Sequence, residues 1–275
     1  MSVQINPTLE MKPIAYIDQA DPTLDKYYSV ATVALGEVFA LTLEQTNDET
    51  DNKDIEILVT IDGTEYSGRI VAGVSGLTYF AYRSPIEDAL ILTTAVRNAG
   101  YAVPIRGHVI TVEAAIHTVN GTNQVLECDV QYGEVPTGTY WWYKHYPTAV
   151  LNQDPPVSLT LYDIFDGLVD ARLIFVIARQ INDEAAAKVL ELTTTIDGEA
   201  ALGTTATFNN NTWRYWTRDP TRDGRSLAHD TAYNFFYYYA FDFHLGTIQL
   251  AMTSAIGTNQ QLDGRAVYEL YEEVS

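Results

Sequence analysis

The residues Ile55, Ile57, Val59 and Ile61 alternate with Glu56, Leu58 and Thr60, the period of a strand with one buried face. Thr32–Leu43 has the same character through Val33, Leu35, Val38, Phe39 and Leu41, broken at Gly36. Asp62-Gly63 then predicts a hairpin turn, because glycine accepts the positive φ such turns need. Tyr66–Ala72 and Leu77–Tyr82 follow as strands, with Gly73 and Gly76 framing the turn between them. Val109–Thr118 and Val125–Tyr132 form a last hairpin over Asn120-Gly121. One stretch departs from this period. Ser84 suits an N-cap, Pro85 the first helical position, Glu87 and Asp88 the helix N-terminus, and Gly100 the stop. Ile86, Ala89, Leu90 and Val96 share roughly one face, so a short helix is predicted over this stretch.

The pattern occurs twice. QTNDETDNKDIEILVTIDG (45–63) and QINDEAAAKVLELTTTIDG (180–198) align without a gap, with ten identities in nineteen positions at an offset of 135. Gly68 matches Gly203, Arg83 matches Arg218 and Pro85 matches Pro220 in the same register. GTNQ at 121–124 recurs at 257–260, one inserted residue later. An internal tandem duplication is therefore expected. Its parts are an N-terminal arm (1–24), a first repeat (25–135), a connector rich in proline and aromatics (136–157) and a second repeat (158–275). Each repeat of about 110 residues carries seven or eight short strands, which means a sandwich or barrel. A helix inserted between the fifth and sixth strands favours a jelly roll over a plain immunoglobulin sandwich. The expected fold is all-β: two tandem duplicated jelly-roll domains, each with a short helix between late strands.

Charge narrows the partners. Asp and Glu outnumber Lys and Arg by 36 to 16, a net charge of −20, so the chain repels phosphate backbones and direct nucleic-acid binding is not expected. No run approaches the roughly 18 apolar residues of a membrane span, and no charged segment followed by an apolar stretch opens the sequence. Cys128 is the only cysteine, which rules out an intrachain disulfide, and its alternating surroundings predict a buried small apolar residue.

Catalytic patterns are missing. The five histidines form no metal-binding spacing, and no GxSxG, GxxxxGK[ST] or GxGxxG occurs. No enzyme and no cofactor is expected. Asp48 and Glu49, with their repeats Asp183 and Glu184, offer hard oxygen ligands for Ca²⁺. The competing reading is a solvated acidic turn whose Asn and Asp side chains bond the local backbone. The aromatic runs TWRYW (212–216) and FFYYYAFDF (235–243) suit either sugar stacking or cover by a partner subunit. Self-association is the preferred reading, with Trp141, Trp142 and Tyr143 of the connector and Phe235, Tyr237 and Tyr239 as interface candidates.

Four segments carry a family resemblance. VALGEVFALTLEQ (33–45) resembles an opening strand pair. IEILVTIDGTEY (55–66) and LELTTTIDGEA (190–200) resemble a strand ending in Asp-Gly in each roll. YWWYKHYPTAVLNQDPPVSLTLYDIFDG (140–167) resembles an inter-roll connector, and FYYYAFDFHL with TIQLAMTSAIGTNQQLDGRAVYELYEE (236–273) the closing strands. This layout resembles double jelly-roll major capsid proteins, and at this length those of small icosahedral membrane-containing bacteriophages of the corticovirus type. The resemblance implies a virion structural protein that forms homotrimeric, pseudo-hexameric capsomers. It also implies a capsid lattice, contacts with other virion proteins, and assembly in the host cytoplasm. The short loops imply small outer towers. Only Lys12 is basic within Met1–Thr23, so membrane contact is at most indirect. The alternative is a phage tail or surface adhesin of two immunoglobulin-like domains that bind glycans.

Overall fold

The computed structural model describes residues 9–49, 51–84, 89–95, 103–118, 121–136, 141–145, 148–183, 187–196, 199–202, 206–218, 227–230, 241–253 and 259–274. Every regular element among them is a strand, and every pairing given by register is antiparallel. The chain divides into two compact units: residues 1–145 with 272–275, and residues 146–271.

Unit 1 contains β1 (Glu10–Met11), β2 (Ala15–Ala20), β3 (Tyr28–Thr46), β4 (Lys53–Ile61), β5 (Thr64–Gly73), β6 (Tyr79–Ser84), β7 (Ala89–Thr93), β8 (Ile105–Ile116), β9 (Val125–Glu134) and β10 (Trp141–His145). The 19-residue β3 serves two sheets. Its first half pairs with β8, from Tyr28↔Ala114 to Val38↔Ile105. Its second half pairs with β9, from Gly36↔Glu134 to Thr46↔Val125, and with β6. The changeover lies at Leu35, whose φ is 42°, and Gly36, where a Cβ would collide with the Gly133 carbonyl. Only glycine lets the two strands approach so closely there. The pairs are then nested: β2 with β9, the start of β3 with β8, the end of β3 with β6, and β4 with β5. One sheet runs β2–β9–β3–β6–β7 and the other β3–β8–β4–β5.

The alternation read from the sequence places the core between these sheets. Ile55, Ile57 and Val59 are fully buried and meet Val33, Leu43, Ile110, Val112, Leu126 and Val130. Asp62 and Gly63 have φ of 49° and 86° and form the two-residue turn that closes Ile61 onto Thr64. Asp62 Oδ1 also accepts the backbone N–H of His108 (2.7 Å) and Val109 (2.8 Å), fixing this turn to the start of β8.

No helix forms among the described residues of the stretch predicted to be helical. Residues 89–93 of that stretch form β7, paired with β6 from Phe80↔Thr93 to Ser84↔Ala89. Leu90 is buried, and a Cβ at Gly68 of β5 would sit 2.9 Å from its Cβ. Cross-strand pairing and burial of one aliphatic face override the local helix signals at Ser84. Residues 85–88 and 96–100, which carried the capping argument, lie outside the described residues. In the second repeat the matching stretch continues into a strand at Leu227–Asp230, and residues 219–226 lie outside the described residues.

Unit 2 contains β11 (Thr148–Gln153), β12 (Tyr162–Ile181), β13 (Lys188–Ile196), β14 (Glu199–Leu202), β15 (Ala206–Phe208), β16 (Arg214–Arg218), β17 (Leu227–Asp230) and β18 (Phe241–Met252), with β19 (Gln261–Val274) running to its end. The pairing is again nested. β11 joins β19, the start of β12 joins β18, the end of β12 joins β16, and β13 joins β14 and β15. β12 also pairs with β19, and β13 with β18. Its core gathers Leu173, Val176, Leu190, Leu192, Trp216, Leu250, Met252 and Leu262. Segments read from sequence as arm and connector thus supply β2 and β11, which pair with the last long strand of the respective unit.

Candidate functional site

Ser67 Oγ donates to Glu56 Oε1. His108 Nδ1 lies 3.7 Å from Asp62. No cluster of three or more His, Cys, Asp or Glu among the described residues is arranged to hold a metal ion. Cys128 is buried, and desolvation pushes its thiol up to about 12, which keeps it protonated and inert.

The features that recur between the units are polar and lie where loops meet. In unit 1 the Gln45 carbonyl accepts from Gly76 N (2.8 Å), Asn47 Nδ2 donates to Gln45 Oε1 (2.9 Å), and Asn47 N donates to Ser75 Oγ (3.2 Å). In unit 2 the Gln180 carbonyl accepts from Asn211 N (2.8 Å), Asn182 Nδ2 donates to Gln180 Oε1 (2.6 Å), and Asn182 N donates to Asn210 Oδ1 (2.8 Å). Asn123 Nδ2 donates to Asp48, and Asn259 Nδ2 donates to Asp183. Asn123 and Asn259 hold φ of 51° and 50°. The turn before the long strand matches as well: Asp25 N donates to Ile116 O (2.9 Å), and Leu159 N to Met252 O (2.8 Å). Thr23 N and Val157 N donate to Tyr28 and Tyr162 hydroxyls, both at 2.7 Å. Gln45, Asn47 and Asp48, three of the identities that exposed the repeat, are thus hydrogen-bonding residues that tie loops together.

This explains the acidic candidates. Glu49 Oε1 accepts from Thr122 N (2.6 Å) and Oγ1 (3.1 Å), and Lys53 Nζ lies 3.7 Å from the other oxygen. The Thr122 N–H holds the Glu49 carboxyl below the usual carboxylate range. Asp48 and Asp183 each accept from an asparagine. Of the oxygens expected to suit Ca²⁺, those of Asp48, Glu49 and Asp183 accept from donors of a neighbouring turn. Glu184 lies outside the described residues.

Among the interface candidates, Trp141, Trp142 and Tyr143 lie on β10. Their side chains, and Phe235, Tyr237 and Tyr239 altogether, lie outside the described residues. In the TWRYW run Trp216 is fully buried, and the Trp213 ring faces Arg179 (4.7 Å from the ring centroid) and Arg265 (5.8 Å).

Two surface features escaped the sequence reading. Val157, Leu159 and Leu161 are 61%, 73% and 46% exposed on a turn whose counterpart in unit 1 carries Asp25 and Tyr27. On the outer face of unit 1, Glu127 stands opposite both Asp18 and Glu44 across neighbouring strands. They line an open groove of about 470 Å³ with Tyr16, Thr42, Thr78 and Asp129. Burial, then Glu44, Asp18 and Asp129, raise the Glu127 carboxyl. Only the register of three strands brings these carboxylates together; the exposed leucines could have been found by comparing the repeats position by position.

No protein-family model matches the chain, and no curated protein matches it. Solved structures similar to it include the major capsid protein P2 from bacteriophage PM2, at 11% identity and a TM-score of 0.37, over 96% of this chain and 98% of that one. The major capsid protein "STIV MCP" is similar at 8% identity and a TM-score of 0.38, over 94% and 97%. PBCV-1 VP54, fitted into a reconstruction of the virophage Sputnik, is similar at 8% identity and a TM-score of 0.36, over 98% and 95%.

Proposed function

We propose that this chain is a non-enzymatic virion structural protein: a major capsid protein built from two tandem, duplicated jelly rolls. The observation that carries the reading is the nested pairing, first strand with eighth and so inward to fourth with fifth, in both units. That order closes two sheets on one core and is the jelly-roll topology. The repeated loop hydrogen bonds support descent of the two units from one ancestor.

Function follows from repetition. A single chain with two similar rolls places six of them around an axis when three chains associate. The proposed assembly is a homotrimeric, pseudo-hexameric capsomer, with Trp141, Trp142, Tyr143 and the 235–243 stretch at subunit contacts. Its partners are other copies of itself in a capsid lattice and other virion proteins. A net charge of −20 argues against direct contact with a genome. No helix among the described residues is long and apolar enough to cross a membrane.

Native mass spectrometry of the purified chain tests the reading. A species at three times the 30.6 kDa chain mass is expected. A monomer at all salt concentrations that also binds a defined glycan would replace this reading with the adhesin.

A further inference from the structure

The histidine at the end of β8 occupies an arrangement that only one of the two units has. His117 Nδ1 lies 2.8 Å from Asp25 Oδ1, and Nε2 lies 2.7 Å from Glu56 Oε2. Both contacts are satisfied in full only when both ring nitrogens carry protons. Glu56 stands on the outer face of β4 yet is buried, and the Tyr27 ring meets His117 edge-on at 5.9 Å. Tyr27 Oη donates to Glu56 Oε2 (2.8 Å) and Ser67 Oγ to Oε1. Burial, then Glu56, push the Tyr27 phenol up to about 12, so it remains a donor. Other charged groups frame the cluster. Asp54 is held by Arg69 (2.6 Å) across β4 and β5, Glu113 acts on Tyr27 from β8, and Lys26 lies over the Tyr28 ring (4.7 Å). At the matching positions of unit 2, Leu159 replaces Asp25, Leu161 replaces Tyr27 and Thr253 replaces His117, while the backbone bonds persist.

We propose that Asp25, His117 and Glu56 form a proton-operated clasp on the turn that precedes β3, present in unit 1 and absent from unit 2. With both ring nitrogens protonated, the imidazolium joins the turn at Asp25 to β4 at Glu56. When one proton leaves, one nitrogen turns a lone pair toward a carboxylate, that contact becomes repulsive, and the turn is released. The device makes one of two otherwise similar loops responsive to pH.

Amide exchange of the full-length chain, followed against pH with the ring resonance of His117, tests this. The Asp25 N–H is the reporter, and the Leu159 N–H, in the same backbone bond without the clasp, is the internal reference. Exchange at Asp25 relative to Leu159 is expected to rise roughly two- to fivefold, the scale of a partly exposed ion pair, with the midpoint of the His117 ring titration. The rise is expected to vanish in His117→Gln and in Asp25→Asn, the latter preserving shape. A constant ratio through the ring titration overturns the proposal, as does the same rise in Asp25→Asn. Should His117→Gln fail to fold, Asp25→Asn alone decides.

Discussion

Replacing Gln45 by alanine probes the loop ties directly. The side chain is fully buried; Nε2 donates to Gly73 O at 3.0 Å, and Oε1 accepts from Asn47 Nδ2 at 2.9 Å. Asn47 Nδ2 keeps a second acceptor, Asp51 O at 2.9 Å, so its loss is partial. The Gly73 carbonyl loses a buried donor, at roughly 1–3 kcal/mol, and the missing side chain leaves space in a packed region. A total of roughly 2–4 kcal/mol is expected. The control is Gln19→Ala, whose amide makes an exposed contact to Ala20 O and whose loss falls within about 0.5 kcal/mol. Urea unfolding gives the magnitude. Hydrogen exchange followed by mass spectrometry gives the location, with loss of protection expected over residues 45–53 and 73–76. A cost for Gln45→Ala no larger than the control, or faster exchange spread evenly over unit 1, would show that these bonds do not hold the loops.

Other outcomes follow from the same geometry. Glu127→Gln should stabilise the chain at neutral pH by a few tenths of a kcal/mol, because it removes a charge facing Asp18 and Glu44. The Glu127 carboxyl is raised, so the wild type loses stability as pH rises through its titration, and thermal melts against pH should show that slope flattened in the variant. Glu49 has the opposite sign. Its carboxyl is lowered, so the tie to Thr122 holds above the unfolded carboxylate range and loosens as pH falls, which amide exchange at Thr122 reads and Glu49→Gln abolishes. Cys128 should resist a thiol reagent in the folded protein and react fully in denaturant; rapid labelling of the native chain would contradict its burial. The proposed trimer would gather three chains of −20, so added NaCl should tighten association, and light scattering that shows salt-driven dissociation would place attractive ion pairs above net repulsion.

The strand pattern was legible wherever one face is buried. Ile55 through Ile61 alternate because β4 lies between β5 and β8 with a single face on the core. The repeat was legible in Gln45, Asn47, Asp48 and Gly63, and the structure gives the first three their reason in loop hydrogen bonds. The segment after Ser84 misled because its helix signals are local, whereas pairing with β6 and burial of Leu90 are not. β2 and β11 were hidden in AYIDQA and TAVLNQ, short mixed strands that pair mainly through their backbones with β9 and β19. The pairing of His117 with Asp25 and Glu56 depends on residues 92 and 61 positions away, which no motif brings together.

Electron microscopy of the assembled protein shows whether the chain builds a capsid from paired jelly rolls. Particles are expected whose capsomers are trimers with six lobes, each the size of one roll, alternating around a pseudo-sixfold axis. Isolated two-lobed molecules that decorate a fibre or tail, with no closed shell under any salt condition, would contradict that assembly.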